Sequence, residues 1–214
     1  MACHTRAQGA QECESEAMTR NHAPATLRNR EPIREVLAQE LGEGGLLLEI
    51  AASTGEHAAY LSHSFPHWQW QPTDPDPNAL ASIAAWREEG GGNLLSPKRL
   101  DAAFADWPLD SADAILCVNM THISPPSATE GLFAGASRLL TAGAPLIIYG
   151  PFFEAGVATA PSNRQFDESL KSRDASWGLR DVEWLDKLAD DIGFERTARH
   201  EMPANNLTLV YRIR

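Results

Sequence analysis

The sequence predicts an α/β fold: a doubly wound, mostly parallel seven-stranded sheet whose last strand runs antiparallel. Three observations predict it. Short apolar runs alternate with segments of helical periodicity. The first run ends in a cluster of small residues that opens a helix. The last two runs, 194–200 and 207–213, are joined only by Pro203-Ala204-Asn205-Asn206, too short for a crossover helix, so they form an antiparallel hairpin.

Residues 1–26 are polar and aperiodic and read as a flexible leader to one domain at 27–214. Pro32 suits a first helical turn, and Ile33, Val36, Leu37 and Leu41 recur at helical spacing until Gly42 and Gly44-Gly45 stop the helix. Strand 46–51 then leads into Glu49-Ile50-Ala51-Ala52-Ser53-Thr54-Gly55. Small side chains there let the backbone approach a ligand, while the amides and positive end of the next helix face it. Glu49, Ala51, Ser53 and Gly55 are therefore candidate ligand contacts, although an ordinary strand-to-helix corner has the same pattern.

Helix 55–63 buries Ala58, Ala59 and Leu61, and strand 68–73 delivers Asp74-Pro75-Asp76-Pro77. A carboxylate at that tip, about twenty residues past the small-residue turn, can accept both hydroxyls of a ribose. Asp74 and Asp76 each fit that role or a helix N-cap. Helix 78–89 stops at Gly90-Gly91-Gly92, and a third strand around Leu94-Leu95 precedes Asp101-Ala102, placed to meet an adenine edge. Strand 112–118 ends in Asn119-Met120-Thr121-His122; helix 125–140 and strand 145–149 follow. Residues 154–162 form a loop long enough for a lid, and 163–173 and 181–192 are helical.

This order places 51–55, 119–122, 149–153 and 202–206 on one carboxyl edge. Asn119 reads as a ligand contact or substrate-orienting group, and Met120 as a cover for a base. His122 reads as a general base with a pKa near working pH, or as a capping or solvated histidine. Tyr149, Asn163, Arg173, Asn205 and Asn206 are candidate substrate contacts, with the Asn205-Asn206 pair supplying both donors and acceptors. Phe166, Trp177 and Trp184 read as core or helix packing.

Hydrophobic residues make up 43% of the 214, enough for one sizeable core. A net charge of -11 lacks the basic face that nucleic-acid or anionic-membrane binding needs. No apolar run approaches the ~20 residues of a bilayer span, and no apolar signal core is present. Cys3, Cys13 and Cys117 suit a reducing compartment, and His57, His63 and His67 share no ligand spacing with them. The expectation is a cytoplasmic protein with a small-molecule partner and without nucleic acid, membrane or metal.

Dinucleotide dehydrogenases of this architecture usually repeat parallel units; with its terminal hairpin the chain resembles the class I S-adenosylmethionine-dependent methyltransferases. Arg28-Asn29-Arg30-Glu31-Pro32-Ile33, residues 48–57 and 72–86, Asn119-Met120-Thr121-His122, Thr129-Glu130-Gly131-Leu132, Tyr149-Gly150-Pro151-Phe152, Ala160-Pro161-Ser162-Asn163 and residues 202–206 narrow the likeness. Together they resemble the methyltransferase-like protein 26 family, a domain-of-unknown-function family with that fold, from about Asn29 to the C-terminus.

The resemblance implies S-adenosylmethionine as cofactor. It sets Asn29 beside Glu49, Ala51, Ser53, Gly55, Asp74, Asp76, Asp101, Ala102, Asn119 and Met120 as cofactor contacts. The leading expectation, carried by the turn from Glu49 to Gly55 together with Asp74 and the terminal hairpin, is methyl transfer to an O or N nucleophile of a small molecule, with Asn119 and His122 at the reacting groups. In-line displacement needs chiefly positioning, with general-base help and no covalent enzyme intermediate. Ser53 departs from the family's glycine before Thr-Gly, and retained binding is expected. Two competing expectations are a nicotinamide-dependent oxidoreductase, whose glycine fingerprint is incomplete, and an interaction protein that has lost catalysis.

Overall fold

The computed structural model describes residues 20–214. α1 (Thr26–Glu40), β1 (Gly45–Ile50), α2 (Glu56–Ser64), β2 (Trp68–Asp74), α3 (Pro77–Trp86) and β3 (Lys98–Arg99) form the first half. β4 (Ala114–Val118), α4 (Pro126–Leu139), β5 (Pro145–Gly150), β6 (Phe152–Phe153), α5 (Pro161–Arg173), β7 (Arg180–Asp181), α6 (Val182–Asp191), β8 (Phe194–Met202) and β9 (Asn206–Ile213) complete it. Seven strands make one sheet in the order β3-β2-β1-β4-β5-β9-β8, and β6 pairs with β7 apart from it. β9 runs antiparallel to both β5 and β8, and the pairs among β1 to β5 are parallel.

Both faces of the central strands are covered, which is why they read as unbroken apolar runs. Successive side chains go to opposite cores. Leu48, Ile50, Ile115 and Cys117 pack with Phe133 of α4 and Leu185 of α6. Leu47, Ala114 and Leu116 pack with Leu37 of α1, Leu61 of α2 and Trp86 of α3. The chain leaves β1 toward β2 on one side and returns to β4 on the other. The crevice at such a switch point, beyond the carboxyl ends of the strands, is where α/β sheets bind ligands.

Two local expectations are corrected. The third strand is Lys98–Arg99, paired with Thr73 and Asp74, while Leu94 makes a single bridge to Trp70. Asn93 explains the displacement: its Nδ2 donates to the carbonyls of Ser62, Phe65 and Trp68, tying that stretch into a loop. The leader was expected to run to residue 26, yet residues 20–26 are held against α2 and α3. The Ala23 amide donates to buried Glu56 Oε2 at 2.9 Å, the Asn21 amide to Ser82 Oγ at 2.9 Å, and Trp86 Nε1 to the Asn21 carbonyl at 2.9 Å. A buried carboxylate and a buried indole N–H need partners, and this strap supplies them. The rest of the expected leader, with Cys3 and Cys13, lies outside the described residues. Among the described residues no helix is long and apolar enough to cross a membrane.

Candidate functional site

A cleft of about 480 Å³ opens at the carboxyl ends of β1 and β4. Its floor is the turn after β1, where Ala51 (φ 55°), Ser53 (φ 53°) and Gly55 (φ 87°) all take left-handed backbone conformations. The turn is bolted to β2: the Ala52 amide donates to the Thr73 carbonyl at 2.8 Å and the Ser53 amide to Asp74 Oδ2 at 2.9 Å. The other Asp74 oxygen accepts the Asp76 amide at 3.0 Å. Gly55 is needed for packing, since a Cβ there would lie 2.6 Å from the Ile83 Cα of α3.

One end of the cleft is polar, with Glu49, Ser53, His57, Asp74 and Asn119 on its wall. Burial pushes the Glu49 carboxyl up to about 7; the Trp70 indole, donating to Oε2 at 2.6 Å, pulls it down, and the Asp74 charge raises it. Burial also raises Asp74, against the amides of Asp76 and Ser53. His57 Nε2 lies 2.8 Å from Asn29 Oδ1, and burial holds its imidazole down at about 4, so it is neutral at neutral pH. The other end is apolar: Leu100, Ala102, Ala103, Met120, Pro125 and Ala128. Asn119 turns between the two ends with left-handed backbone (φ 65°), its amide donating to the Tyr149 carbonyl at 2.8 Å.

Of the sequence-predicted cofactor contacts, Glu49, Ala51, Ser53, Asp74, Asp101, Ala102, Asn119 and Met120 line this one cleft. Asn29 stands behind the wall, bonded to His57, and Gly55 lies beneath the turn. Asp76 is the N-cap of α3, accepting the Asn78 amide at 2.9 Å, so the capping alternative describes it. Asn163, Asn205 and Asn206 line a second hollow of about 260 Å³ with Glu154 and Arg199. There Asn163 Nδ2 donates to the Asn205 carbonyl at 2.9 Å. Tyr149 is buried and lines neither hollow, and Arg173 is exposed at the end of α5, over the Trp177 ring.

His122, the expected base, is also off both walls. The turn Met120–His122 tucks its ring under Gly150, where a Cβ would lie 3.1 Å from its Nδ1, and edge-on to Phe166 at 5.6 Å. Burial and the Arg180 charge hold it down at about 4, and its Nδ1 has no partner among the described residues. Among the cleft-wall residues that the sequence reading does not single out are His57, Trp177, the strap residues Ala23, Ala25 and Thr26, and the apolar Leu100, Ala103, Pro125 and Ala128. His57 sits in the first turn of α2 and was legible from the motif; the strap, polar and aperiodic, carried no signal.

Residues 20–213 match the model of a family described as a protein of unknown function, DUF938. The chain belongs to the DUF938 family. This DUF938 chain also superposes on solved methyltransferases at low identity, which shows the fold. An O-methyltransferase family protein from Burkholderia thailandensis gives a TM-score of 0.72 at 16% identity, over 88% of this chain and 57% of that one. CalO1, a methyltransferase in calicheamicin biosynthesis in its SAH-bound form, gives 0.67 at 13%, over 86% and 54%. An O-methyltransferase family 2 protein from Planctomyces limnophilus, in complex with apigenin, gives 0.68 at 18%, over 94% and 67%. The DUF938 chain thus spans little more than half the length of the first two.

Proposed function

We propose that this chain is an S-adenosylmethionine-dependent methyltransferase acting on an O or N nucleophile of a small molecule, related to the methyltransferase-like protein 26 family. One observation carries the reading. A buried carboxyl from β1, a left-handed small-residue turn and the acid at the tip of β2 converge on one cleft at the switch point of a methyltransferase fold. The SAH-bound neighbour supports the choice of nucleoside.

The cleft fits that group. Glu49 is a buried carboxylate able to accept from an ammonium, and each Asp74 oxygen holds one amide and keeps a lone pair for a ribose hydroxyl. The apolar end, with Ala102 and Met120, suits an adenine, and Asp101 stands at its edge. When bound, S-adenosylmethionine supplies an electrophilic methyl group on sulfur. The protein's share is positioning: Asn119 orients the acceptor, and Asn163, Asn205 and Asn206 on the same sheet edge hold its distal part. His57, neutral and on the wall, is better placed than buried His122 to accept a proton. The acidic chain suits a small acceptor rather than a polynucleotide.

Titration calorimetry with S-adenosylmethionine and S-adenosylhomocysteine tests the proposal: saturable binding of both is expected, and none at about millimolar ligand removes it. A second reading, a cofactor-binding protein without catalysis, is favoured by the position of His122 off the cleft wall. Transfer of a labelled methyl group to a low-molecular-weight cell fraction decides between the two.

A further inference from the structure

Trp68, Trp70, Trp86 and Trp107 are buried core residues, whereas Trp177 is partly exposed and stands on the cleft wall. Its backbone is held as in a bracket. The neighbouring Gly178 amide donates to the His122 carbonyl at 3.0 Å. Arg180 donates from Nε to the Thr121 carbonyl at 2.9 Å and from Nη2 to the Ser124 carbonyl at 2.6 Å. The Leu179 amide donates to buried Asp167 Oδ1 at 2.9 Å. Gly178 has φ +142°, and a Cβ on it would lie 2.7 Å from Asp167 Oδ1, so the bracket tolerates no side chain there. The Arg173 guanidinium lies over the ring, 4.9 Å from its centroid, and occupies one face.

Three of these four bonds fasten the bracket to residues 121–124, whose continuation Pro125 and Ala128 belongs to the apolar end of the cleft, and the fourth ties it to Asp167 of α5. An indole with one face covered by a cation offers its other face for stacking on a planar heterocycle. We infer that Trp177 is the stacking surface for the adenine ring of the bound nucleoside, and that the loop 174–180 exists to hold it there. The inference rests on the nucleoside reading of the cleft given above.

The experiment measures binding of S-adenosylhomocysteine and of 5′-methylthioadenosine, which lacks the amino-acid end, to the full chain and to Trp177→Ala and Trp177→Phe. Trp177→Ala weakens both ligands alike, by about tenfold, whereas Trp177→Phe stays within about threefold because a ring remains. Ligand-induced quenching of tryptophan emission, present in the parent chain, is reduced in Trp177→Phe although binding persists. Unchanged affinity of folded Trp177→Ala for both ligands overturns the inference. So does a loss confined to S-adenosylhomocysteine, which would put the indole at the amino-acid end. Absence of any binding to the parent chain overturns the nucleoside reading and this inference with it; binding by the parent with an indifferent Trp177→Ala overturns only the latter.

Discussion

At the scale of single residues, the site is built from side chains held in states they would not choose in water. Glu49 is the clearest: its carboxyl titrates near 7 in the folded chain instead of at its ordinary 4.5. A pKa raised by folding means stability is fully present below the unfolded value and is lost as pH rises through about 7. Glu49→Gln removes that loss, so the stability of the variant relative to the parent is expected to grow between about pH 5 and pH 8 in urea titrations. If Glu49 accepts a ligand ammonium, S-adenosylhomocysteine affinity rises over the same window in the parent and is flat in the variant. His57 and His122, both depressed to about 4, act oppositely: their contribution is present above their ordinary 6.5 and lost as pH falls through 4. The buried ring of His122 is worth packing energy. His122→Ala is expected to cost about 1–3 kcal/mol of stability while leaving S-adenosylhomocysteine affinity within about twofold; a collapse of affinity in a folded variant would return the residue to the site. Ser53 holds φ 53°. A left-handed non-glycine residue costs about 1–2 kcal/mol, and glycine gives back about 0.5–1 kcal/mol through unfolded-chain entropy, so Ser53→Gly is expected to be slightly stabilising.

At the scale of elements, α4 is pressed against the loop that follows β3. A Cβ on Gly131 would lie 1.9 Å from the Ala102 carbonyl oxygen, and one on Gly135 2.2 Å from the Trp107 ring. Alanine is favoured over glycine in a helix interior by about 1 kcal/mol, so an open site would gain from the exchange. Here the collision reverses the sign. Gly131→Ala is expected to lower the melting temperature and to weaken 5′-methylthioadenosine binding, because residues 101–103 must move off the cleft; a stabilised variant with unchanged affinity contradicts this. The edge strand β8 shows a different constraint. It is largely uncovered and carries Glu195, Arg196, Arg199 and Glu201, charges that discourage pairing with another chain.

At the scale of the whole molecule, two cores on opposite faces of one sheet fix where β1, β2 and β4 end, and the cleft is the gap left where the connections diverge. The strap at residues 20–26 belongs to that assembly. It satisfies Glu56 and Trp86 and places Ala23, Ala25 and Thr26 on the wall. Deletion through residue 25 is expected to leave a folded sheet by circular dichroism with weakened S-adenosylhomocysteine binding; undiminished affinity would show the strap to be only a covering. A ligand held only by the folded chain stabilises it by about 2.7 kcal/mol at a hundredfold excess over its dissociation constant, which a thermal melt registers.

The sequence by itself determined the layered order of strands and helices, the reversed last strand and eight of the residues that line the cleft. These follow from local periodicity and from residues at strand ends, where neighbours in the chain are neighbours in space. Glu49, Asp74 and Asn119 were legible because a parallel sheet delivers the ends of all its strands to one edge. Only the tertiary structure decided the remainder. The turn of Met120–His122 rotates His122 under Gly150 and away from the cleft, and α3 claims Asp76 as its cap. Trp177 and the strap reach the wall through carbonyls, carboxylates and an indole N–H far away in sequence. Such contacts leave no periodic trace, since a buried polar group can be satisfied by any segment the fold happens to bring within reach.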